Sequence, residues 1–225
     1  MDEEAAIAHA ADTGAYLLDL SGRGLTRLPA SIGTLSSLDV LYLQGNALTA
    51  LPEELCRLRG LSVLYAEDNQ LEELPPAIGD LRELEQLDLS GNRLRELPAG
   101  IGDLSRLQSL DLSRNRLTSL PARIGDLAAL RELLLHGNRL ASLPPELGRL
   151  TGLTCLRLGG NDLHALPAEL AALTNLVELT GLDDEPLMDP EFLAADHSYW
   201  LATAQQILTA YFTGGFSAGG FSAAE

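Results

Sequence analysis

Residues 84–106 read LEQLDLSGNRLRELPAGIGDLSR, and residues 107–129 repeat them almost position for position as LQSLDLSRNRLTSLPARIGDLAA. The unit recurs every 23 residues, with its asparagines at 46, 69, 92, 115, 138 and 161 and its opening leucines at 38, 61, 84, 107, 130, 153 and 176. Self-similarity at a fixed period of this size indicates a repeat array in which each unit packs only against its neighbours. Counting back 23 residues from Leu38 predicts seven units between residues 15 and 175, and an eighth that degenerates after Leu179.

The residue types within one unit predict its local structure. Leu41 and Leu43 alternate with Tyr42, so the two leucines share the core face of a short strand while the tyrosine faces outward. Asn46 follows the strand, and its amide both donates and accepts, so a stack of such residues can satisfy backbone groups in successive units. Pro52 has a fixed φ and is expected to start a short helical turn on the opposite side.

Stacking such units pairs each strand in parallel with the next, about 4.8 Å away. Helical turns are wider than strands, so the array must curve with the strands on its concave side. The pattern therefore predicts an α/β solenoid with a parallel concave sheet, short helical turns on the convex side and helical caps at both ends. Cys56 and Cys155 would lie four units apart, roughly 19 Å by strand spacing, so both are expected to be thiols.

The ends of the array are expected to be capped, because a solenoid otherwise exposes its core. The four predicted segments are an N-terminal helical cap (1–14), seven repeats (15–175), a degenerate repeat with a C-terminal helical cap (176–213) and a Gly-rich mobile tail that contains GGFSA twice (214–225). The first helix is expected over Glu3–Ala11 with Ile7 and Ala11 on one buried face. The last is expected to begin near Ser198, with Trp200 plugging the end of the core.

Charge and composition narrow the function. The formal net charge is −17, which argues against binding to nucleic acid or to an anionic membrane surface. All 15 basic residues are arginine, and the absence of lysine excludes P-loop nucleotide hydrolysis, protein kinase chemistry and Schiff-base catalysis. The four histidines show no metal-binding spacing, so no metal and no cofactor are expected.

The N-terminal residues MDEEAAIAHAADTG are acidic and lack the apolar run of a secretory signal. No stretch reaches the roughly 18 apolar residues that a membrane-spanning helix needs. We therefore expect a monomeric cytoplasmic protein, although export without a signal sequence stays open.

Several units contain the motif L-P-x-x-I-G-x-L: LPASIGTL (28–35), LPPAIGDL (74–81) and LPAGIGDL (97–104). With the pattern L-x-x-L-x-L-x-x-N-x-L, this resembles the Ras-group leucine-rich-repeat proteins, which include Ras-suppressor-like proteins, plant intracellular proteins and the repeat regions of bacterial Roco proteins. The flanks LLDLSGRGLTRLP (17–29) and EPLMDPEFL…TAQQILTAYF (185–212) look like those of Roco repeat regions, without the GTPase domain that follows there. The resemblance implies a leucine-rich-repeat horseshoe and a scaffold that binds small GTPases or signalling proteins.

Three residues depart from the pattern. Arg23 occupies the first asparagine position and Asp184 the last, as expected at an end of the array that lacks a neighbour to satisfy. Ala66 replaces a core leucine of the third strand, which predicts locally looser packing beside Tyr65.

The outward-facing strand positions are expected to carry specificity. They divide into an apolar-aromatic part, an acidic part and a mixed basic part: Leu17, Val40, Tyr42, Val63 and Tyr65; Glu67, Asp68, Asp88 and Asp111; Arg114, His136 and Arg157. For any single residue, the β-propensity of valine and tyrosine explains its presence equally well. For the contiguous apolar patch rimmed by charge, a binding surface is the better interpretation.

These observations favour a protein-interaction module or scaffold that binds a partner on the concave face, with a link to small-GTPase signalling implied by the resemblance. The alternatives are a structural spacer and a secreted effector-type binding domain. Paired catalytic carboxylates at Asp88 and Asp111 are disfavoured, because an open face does not desolvate them. A repeat-containing ubiquitin ligase of the bacterial effector type is also disfavoured, because it needs a catalytic cysteine in a separate domain and Cys56 and Cys155 both lie inside repeat units. An enzyme-associated substrate-recruitment domain is the least favoured alternative.

Overall fold

The computed structural model describes residues 3–181 and 204–213. Within these residues, eight three-residue strands form one parallel sheet in which each strand pairs with the next in chain order. The strands are β1 (Leu17–Asp19), β2 (Val40–Tyr42), β3 (Val63–Tyr65), β4 (Gln86–Asp88), β5 (Ser109–Asp111), β6 (Glu132–Leu134), β7 (Cys155–Arg157) and β8 (Glu178–Thr180). Equivalent residues of successive units lie opposite each other, as Leu41 does with Leu64. The predicted solenoid with a parallel concave sheet is confirmed.

The core is a set of leucine columns that run through the stacked units. Leu41 is fully buried between the partly exposed Val40 and Tyr42, as the alternation predicts. Ala66 is also fully buried, in the column that Leu43 and its equivalents occupy in other units. The looser packing expected around Ala66 stays a prediction.

In the part of the chain that the structure describes, seven 3₁₀ turns lie on the side opposite the sheet, and each follows a proline. They span Ala30–Thr34, Glu53–Arg57, Pro76–Asp80, Ala99–Asp103, Ala122–Asp126, Pro145–Arg149 and Ala168–Ala172. Pro52, for example, has φ −70° and directly precedes its turn, which confirms the predicted role of this proline. The turn ends where the Leu58 N–H donates to the carbonyl of Leu55.

The glycine of the L-P-x-x-I-G-x-L motif lies where successive turns touch. A Cβ at Gly79 would be 2.3 Å from the carbonyl oxygen of Gly100, and one at Gly125 would be 2.2 Å from that of Glu146. In these two turns a Cβ would collide with the neighbouring backbone, so glycine is what permits the close approach seen there. Cys56 occupies the equivalent place in the second turn and is buried.

The asparagines form a ladder of buried hydrogen bonds between units. The Asn92 amide oxygen accepts from the Leu71 N–H of the preceding unit at 2.9 Å. Its amide nitrogen donates to the carbonyls of Ala66 at 2.9 Å and Leu89 at 3.0 Å. At the start of the array, the Arg23 N–H donates to the amide oxygen of Asn46, as expected for a first unit that has no asparagine of its own.

Helix α1 spans Glu3–Thr13, two residues beyond the predicted helix, and packs beside the first 3₁₀ turn, where the Ser31 hydroxyl donates to Glu4 at 2.7 Å. Its buried residues are Ala6, Ile7 and Ala10. The prediction that Ala11 shares this face is wrong, because Ala11 is exposed. The buried stripe is centred between the other three residues, and at about 100° per residue Ala11 falls roughly 90° from its centre.

Helix α2 spans Ala204–Thr213 and packs beside the last 3₁₀ turn, with Ala204, Ile207 and Leu208 buried. The Tyr211 hydroxyl accepts a hydrogen bond from the Leu166 N–H at 3.1 Å. These are the residues that the helical periodicity places on one face. The expected helix start near Ser198, the Trp200 plug and the tail 214–225 lie outside the described residues. The four segment boundaries stay predictions.

Candidate binding surface on the concave face

The sheet register brings the predicted aromatic and acidic residues into one column. Tyr42 lies opposite Tyr65, Tyr65 opposite Asp88, and Asp88 opposite Asp111. Neighbouring members of such a column are about 4.8 Å apart along the sheet. The four side chains therefore form a continuous row across β2, β3, β4 and β5.

The aromatic half of this row is a stacked pair. The rings of Tyr42 and Tyr65 have centroids 5.5 Å apart and planes inclined by 24°, an offset geometry that aromatic pairs favour. The Tyr65 hydroxyl donates to the side-chain oxygen of Gln86. Val40 and Val63, one position to the side, are half-buried. The pair is thus fixed in orientation while part of its surface stays open to a ligand.

The acidic half is positioned by a local motif that sequence reasoning missed. One carboxylate oxygen of Asp88 accepts from the Ser90 N–H at 2.8 Å, and Asp111 does the same with Ser113. The spacing Asp-x-Ser carries the signal, since short side-chain oxygens bind the backbone two residues on. These bonds hold both carboxylates at the ends of their strands.

The charges of this half are not balanced. Burial, and then the neighbouring Asp111 and Asp68, raise the pKa of Asp88. Burial and Asp88 likewise raise the pKa of Glu67. Neither Asp88 nor Asp111 forms an ion pair with any arginine in the described part of the chain. A cation placed here would lower the energy of several carboxylates at once.

The next column over contains buried polar atoms that have no hydrogen-bond partner among residues 3–181 and 204–213. They are the side-chain oxygens Oε1 of Gln44 and Oε2 of Glu67, and the Nδ1 atom of His136. Gln44 and Glu67 belong to consecutive units, and each offers an acceptor. Buried acceptors without donors are costly, so this part of the face favours a ligand rich in N–H groups.

Asp68 and Arg114 occupy a position where five other units have glycine. Both have φ +53°, in the left-handed region, and Gly45 and Gly91 at equivalent places have φ +66° and +65°. The Arg114 guanidinium lies 3.5 Å from the Asp68 carboxylate and bridges over Gly91 between them. The ion pair joins the predicted acidic and basic parts directly. Strained non-glycine residues of this kind concentrate at functional surfaces.

The remaining predicted site residues lie further along the sheet. Arg157 is exposed and pairs with Glu178 of β8 at 2.7 Å, a partner that was not predicted. His136 lies one strand before it. The structure brings Tyr42, Tyr65, Glu67, Asp68, Asp88, Asp111 and Arg114 into one surface and leaves His136 and Arg157 towards its end.

The cysteines have little nucleophilic character. Both are free thiols, as predicted. Burial raises the pKa of Cys56 to about 12 and that of Cys155 to about 11, so both stay protonated near neutral pH. Within the part of the chain that the structure describes, no group of three or more His, Cys, Asp or Glu residues could hold a metal ion.

The open parallel sheet, the 3₁₀ turns and the asparagine ladder define a leucine-rich-repeat solenoid. Family models described as "Leucine rich repeat" and "Leucine-rich repeat region" match residues 14–71 and residues 67–133 and 100–194. The chain belongs to the leucine-rich-repeat family.

Solved structures with a similar fold come from bacteria and plants. A leucine-rich-repeat protein of Leptospira interrogans has a TM-score of 0.69 and 38% identity, over 72% of this chain and 41% of its own. A plant peptide hormone receptor, RGFR1 in complex with RGF2, has a TM-score of 0.67 and 33% identity, over 77% of this chain and 29% of its own. An internalin of Listeria monocytogenes, InlF, has a TM-score of 0.68 at 24% identity, over 76% of this chain and 48% of its own, and shows the fold alone.

This chain spans less than half the length of each of these proteins. No match is found among curated proteins. Across the described ranges, none of the helices has the length and apolar character needed to cross a membrane.

Proposed function

We propose that the chain is a protein-interaction module that binds a partner polypeptide on the concave face, across β2 to β5. The observation that carries the proposal is the row formed by the stacked Tyr42 and Tyr65 and the unpaired Asp88 and Asp111. Tyrosine is among the residue types that dominate binding energy at protein interfaces. The half-buried Val40 and Val63 extend the apolar part of this surface beside the carboxylates, and an apolar patch rimmed by charge is a common form of such an interface.

The wider fold supports binding over catalysis. Leucine-rich-repeat domains are typically binding domains, and one similar structure is of a receptor in complex with RGF2. The carboxylates of the row lie on an open face, and the two thiols are protonated near neutral pH. We further propose a monomeric cytoplasmic scaffold in small-GTPase-linked signalling, which rests on the L-P-x-x-I-G-x-L motif and its resemblance to Ras-group and Roco-type repeats.

The test is affinity capture with mass spectrometry, comparing the wild type with a Tyr42→Ala/Tyr65→Ala/Asp88→Ala variant. A matched control replaces Glu72 and Glu73, exposed residues away from the row, by alanine. We expect at least one partner that the wild type and the control retain and the triple variant loses. If every partner is retained by the triple variant, the face is not the interface and a structural spacer is the better account.

Recovery of a small GTPase or one of its regulators would support the signalling assignment. Recovery of a different partner through the same face would keep the binding module and remove that assignment. Sedimentation of the purified chain tests whether it is a monomer. Fluorescence imaging of a tagged chain tests its compartment.

A further inference from the structure

The acidic part of the concave face is complementary to a positively charged group. This inference concerns the chemistry of the partner, so it rests on the proposed function. The row contributes the carboxylates of Asp88 and Asp111, and Glu67 lies close enough for the charge of Asp88 to raise its pKa. Arg114, the arginine of this surface, already forms an ion pair with Asp68. Positive charge brought by a partner would therefore complement the carboxylates of Asp88 and Asp111.

The aromatic pair favours a guanidinium over an ammonium as the positively charged group. Asp88 lies directly opposite Tyr65 in the sheet register, so a group that binds the carboxylate also lies against the edge or face of the tyrosine ring. A guanidinium stacks on an aromatic face while its N–H groups donate to a carboxylate. An ammonium is a compact, strongly hydrated point charge and does this less well.

The unpartnered buried atoms give an independent reason for the same choice. The Gln44 and Glu67 side chains each hold a buried oxygen that accepts no hydrogen bond from the described residues. A guanidinium carries five N–H donors and no acceptor. It can therefore donate to the unpartnered oxygens of Gln44 and Glu67.

We propose that the row from Tyr42 to Asp111 is a receptor for an extended, arginine-bearing segment of a partner protein. An arginine side chain stacks on Tyr65 and donates to Asp88, with Asp111 and Glu67 as further acceptors. The segment lies across the strands and directs every second side chain to the sheet, as an extended chain does. The strand ends are fixed by the Ser90 and Ser113 amides, so the receptor is formed before the partner arrives.

The experiment uses the full chain and a fluorescein-labelled octapeptide of alternating threonine and arginine. A second peptide has citrulline, a neutral isostere, at each arginine. Binding is followed by fluorescence anisotropy at 150 mM salt. We expect the arginine peptide to bind at least tenfold more tightly than the citrulline peptide. No binding of the arginine peptide, or equal affinity for the two peptides, overturns the proposal.

The protein variants separate a defined site from general attraction to a chain of net charge −17. Asp88→Asn/Asp111→Asn removes two charges from the row but keeps acceptors for Ser90 and Ser113, so the fold is retained. Glu72→Gln/Glu73→Gln removes two charges elsewhere. We expect at least a tenfold loss in the first variant and less than a twofold change in the second. Equal losses in both would show general electrostatic attraction and overturn the site.

Tyr65 separates the aromatic contribution from the charge. Tyr65→Phe keeps the ring and is expected to change affinity less than threefold, while Tyr65→Leu is expected to lose about tenfold. An unchanged affinity of Tyr65→Leu would remove the stacking role. A captured partner that depends on Tyr42 and Tyr65 but contacts them through a neutral segment would disprove this inference and leave the proposed binding module intact.

Discussion

Substitution of Asn92 by alanine tests how much the asparagine ladder stabilises the fold. For each hydrogen bond of Asn92, the structure shows whether the group left behind has another partner. The Leu71 N–H loses its acceptor at 2.9 Å, and no other acceptor for it is found among residues 3–181. The carbonyl of Ala66 keeps a bond from Asn69, and that of Leu89 keeps one from Asn115. One buried donor is therefore orphaned, and the acceptors lose only one of two partners.

The expected loss of stability follows from the difference between the orphaned donor and the acceptors that keep a partner. An orphaned buried donor costs about 2 kcal/mol, and a lost bond to an acceptor that keeps another partner costs about 0.5 kcal/mol. Asn92 donates to three carbonyls, those of Ala66, Leu89 and Ser90, the last at 3.3 Å. We expect Asn92→Ala to lower the free energy of unfolding by about 3.5 kcal/mol. For a domain of this size, the midpoint of thermal unfolding would fall by about 10 °C.

The assay is urea unfolding followed by far-ultraviolet circular dichroism, with the m-value checked for cooperativity because repeat arrays can unfold in parts. The matched control is Asn175→Ala, which removes one exposed bond to the Thr151 carbonyl at 2.8 Å. We expect about 0.5 kcal/mol for the control. A loss below 1 kcal/mol for Asn92→Ala, or one equal to the control, would refute the reasoning.

Three further predictions follow from other parts of the structure. Tyr65→Ala should weaken an identified partner by about 2 kcal/mol by isothermal titration calorimetry with unchanged circular dichroism; an unchanged affinity would contradict the site assignment. Asp88→Asn should be more stable than the wild type at pH 7, because the folded state raises the pKa of Asp88 above its ordinary 3.8 and so disfavours the ionised form. That advantage should shrink as pH falls through the raised pKa, where the wild type takes up its proton and is stabilised; thermal melts from pH 7 to pH 3 test this, and a pH-independent difference would contradict it. Gly125→Ala should cost about 2 kcal/mol, since its Cβ would lie 2.2 Å from a backbone oxygen, whereas Gly60→Ala, with its nearest contact at 4.0 Å, should cost less than half as much in urea unfolding.

The sequence alone predicted the features that depend on one unit and its copies. Leu41 and its equivalents form a core column because alternation within a strand fixes which face a side chain takes. Pro52 starts a turn because proline fixes φ. The 23-residue spacing then sets the strand register. Each of these features depends on the backbone geometry within one repeat, and it recurs because the repeat recurs.

Other features depend on contacts between units and were not predicted. The glycine at Gly125 is required by the carbonyl of the next turn, which periodicity does not show. The hydrogen bond from the Ser90 N–H to Asp88 has a local signal, the Asp-x-Ser spacing, but the position of Asp88 on the outward face of the strand favours a binding role equally well. The ion pair between Asp68 and Arg114 spans two units, so only the stacked array brings its members together. Whether these residues bind a partner stays a prediction.

The asparagine ladder also has a consequence for the order in which the repeats fold. The Asn46 side chain accepts a hydrogen bond from the Leu25 N–H of the unit before it, and Asn92 does the same for Leu71. Each unit therefore depends on the unit that follows it in the chain. A ribosome releases the N-terminal units first. We therefore expect each repeat to fold stably only after the next repeat has been synthesised. During synthesis, the most recently made unit would lack the asparagine that accepts from its backbone N–H.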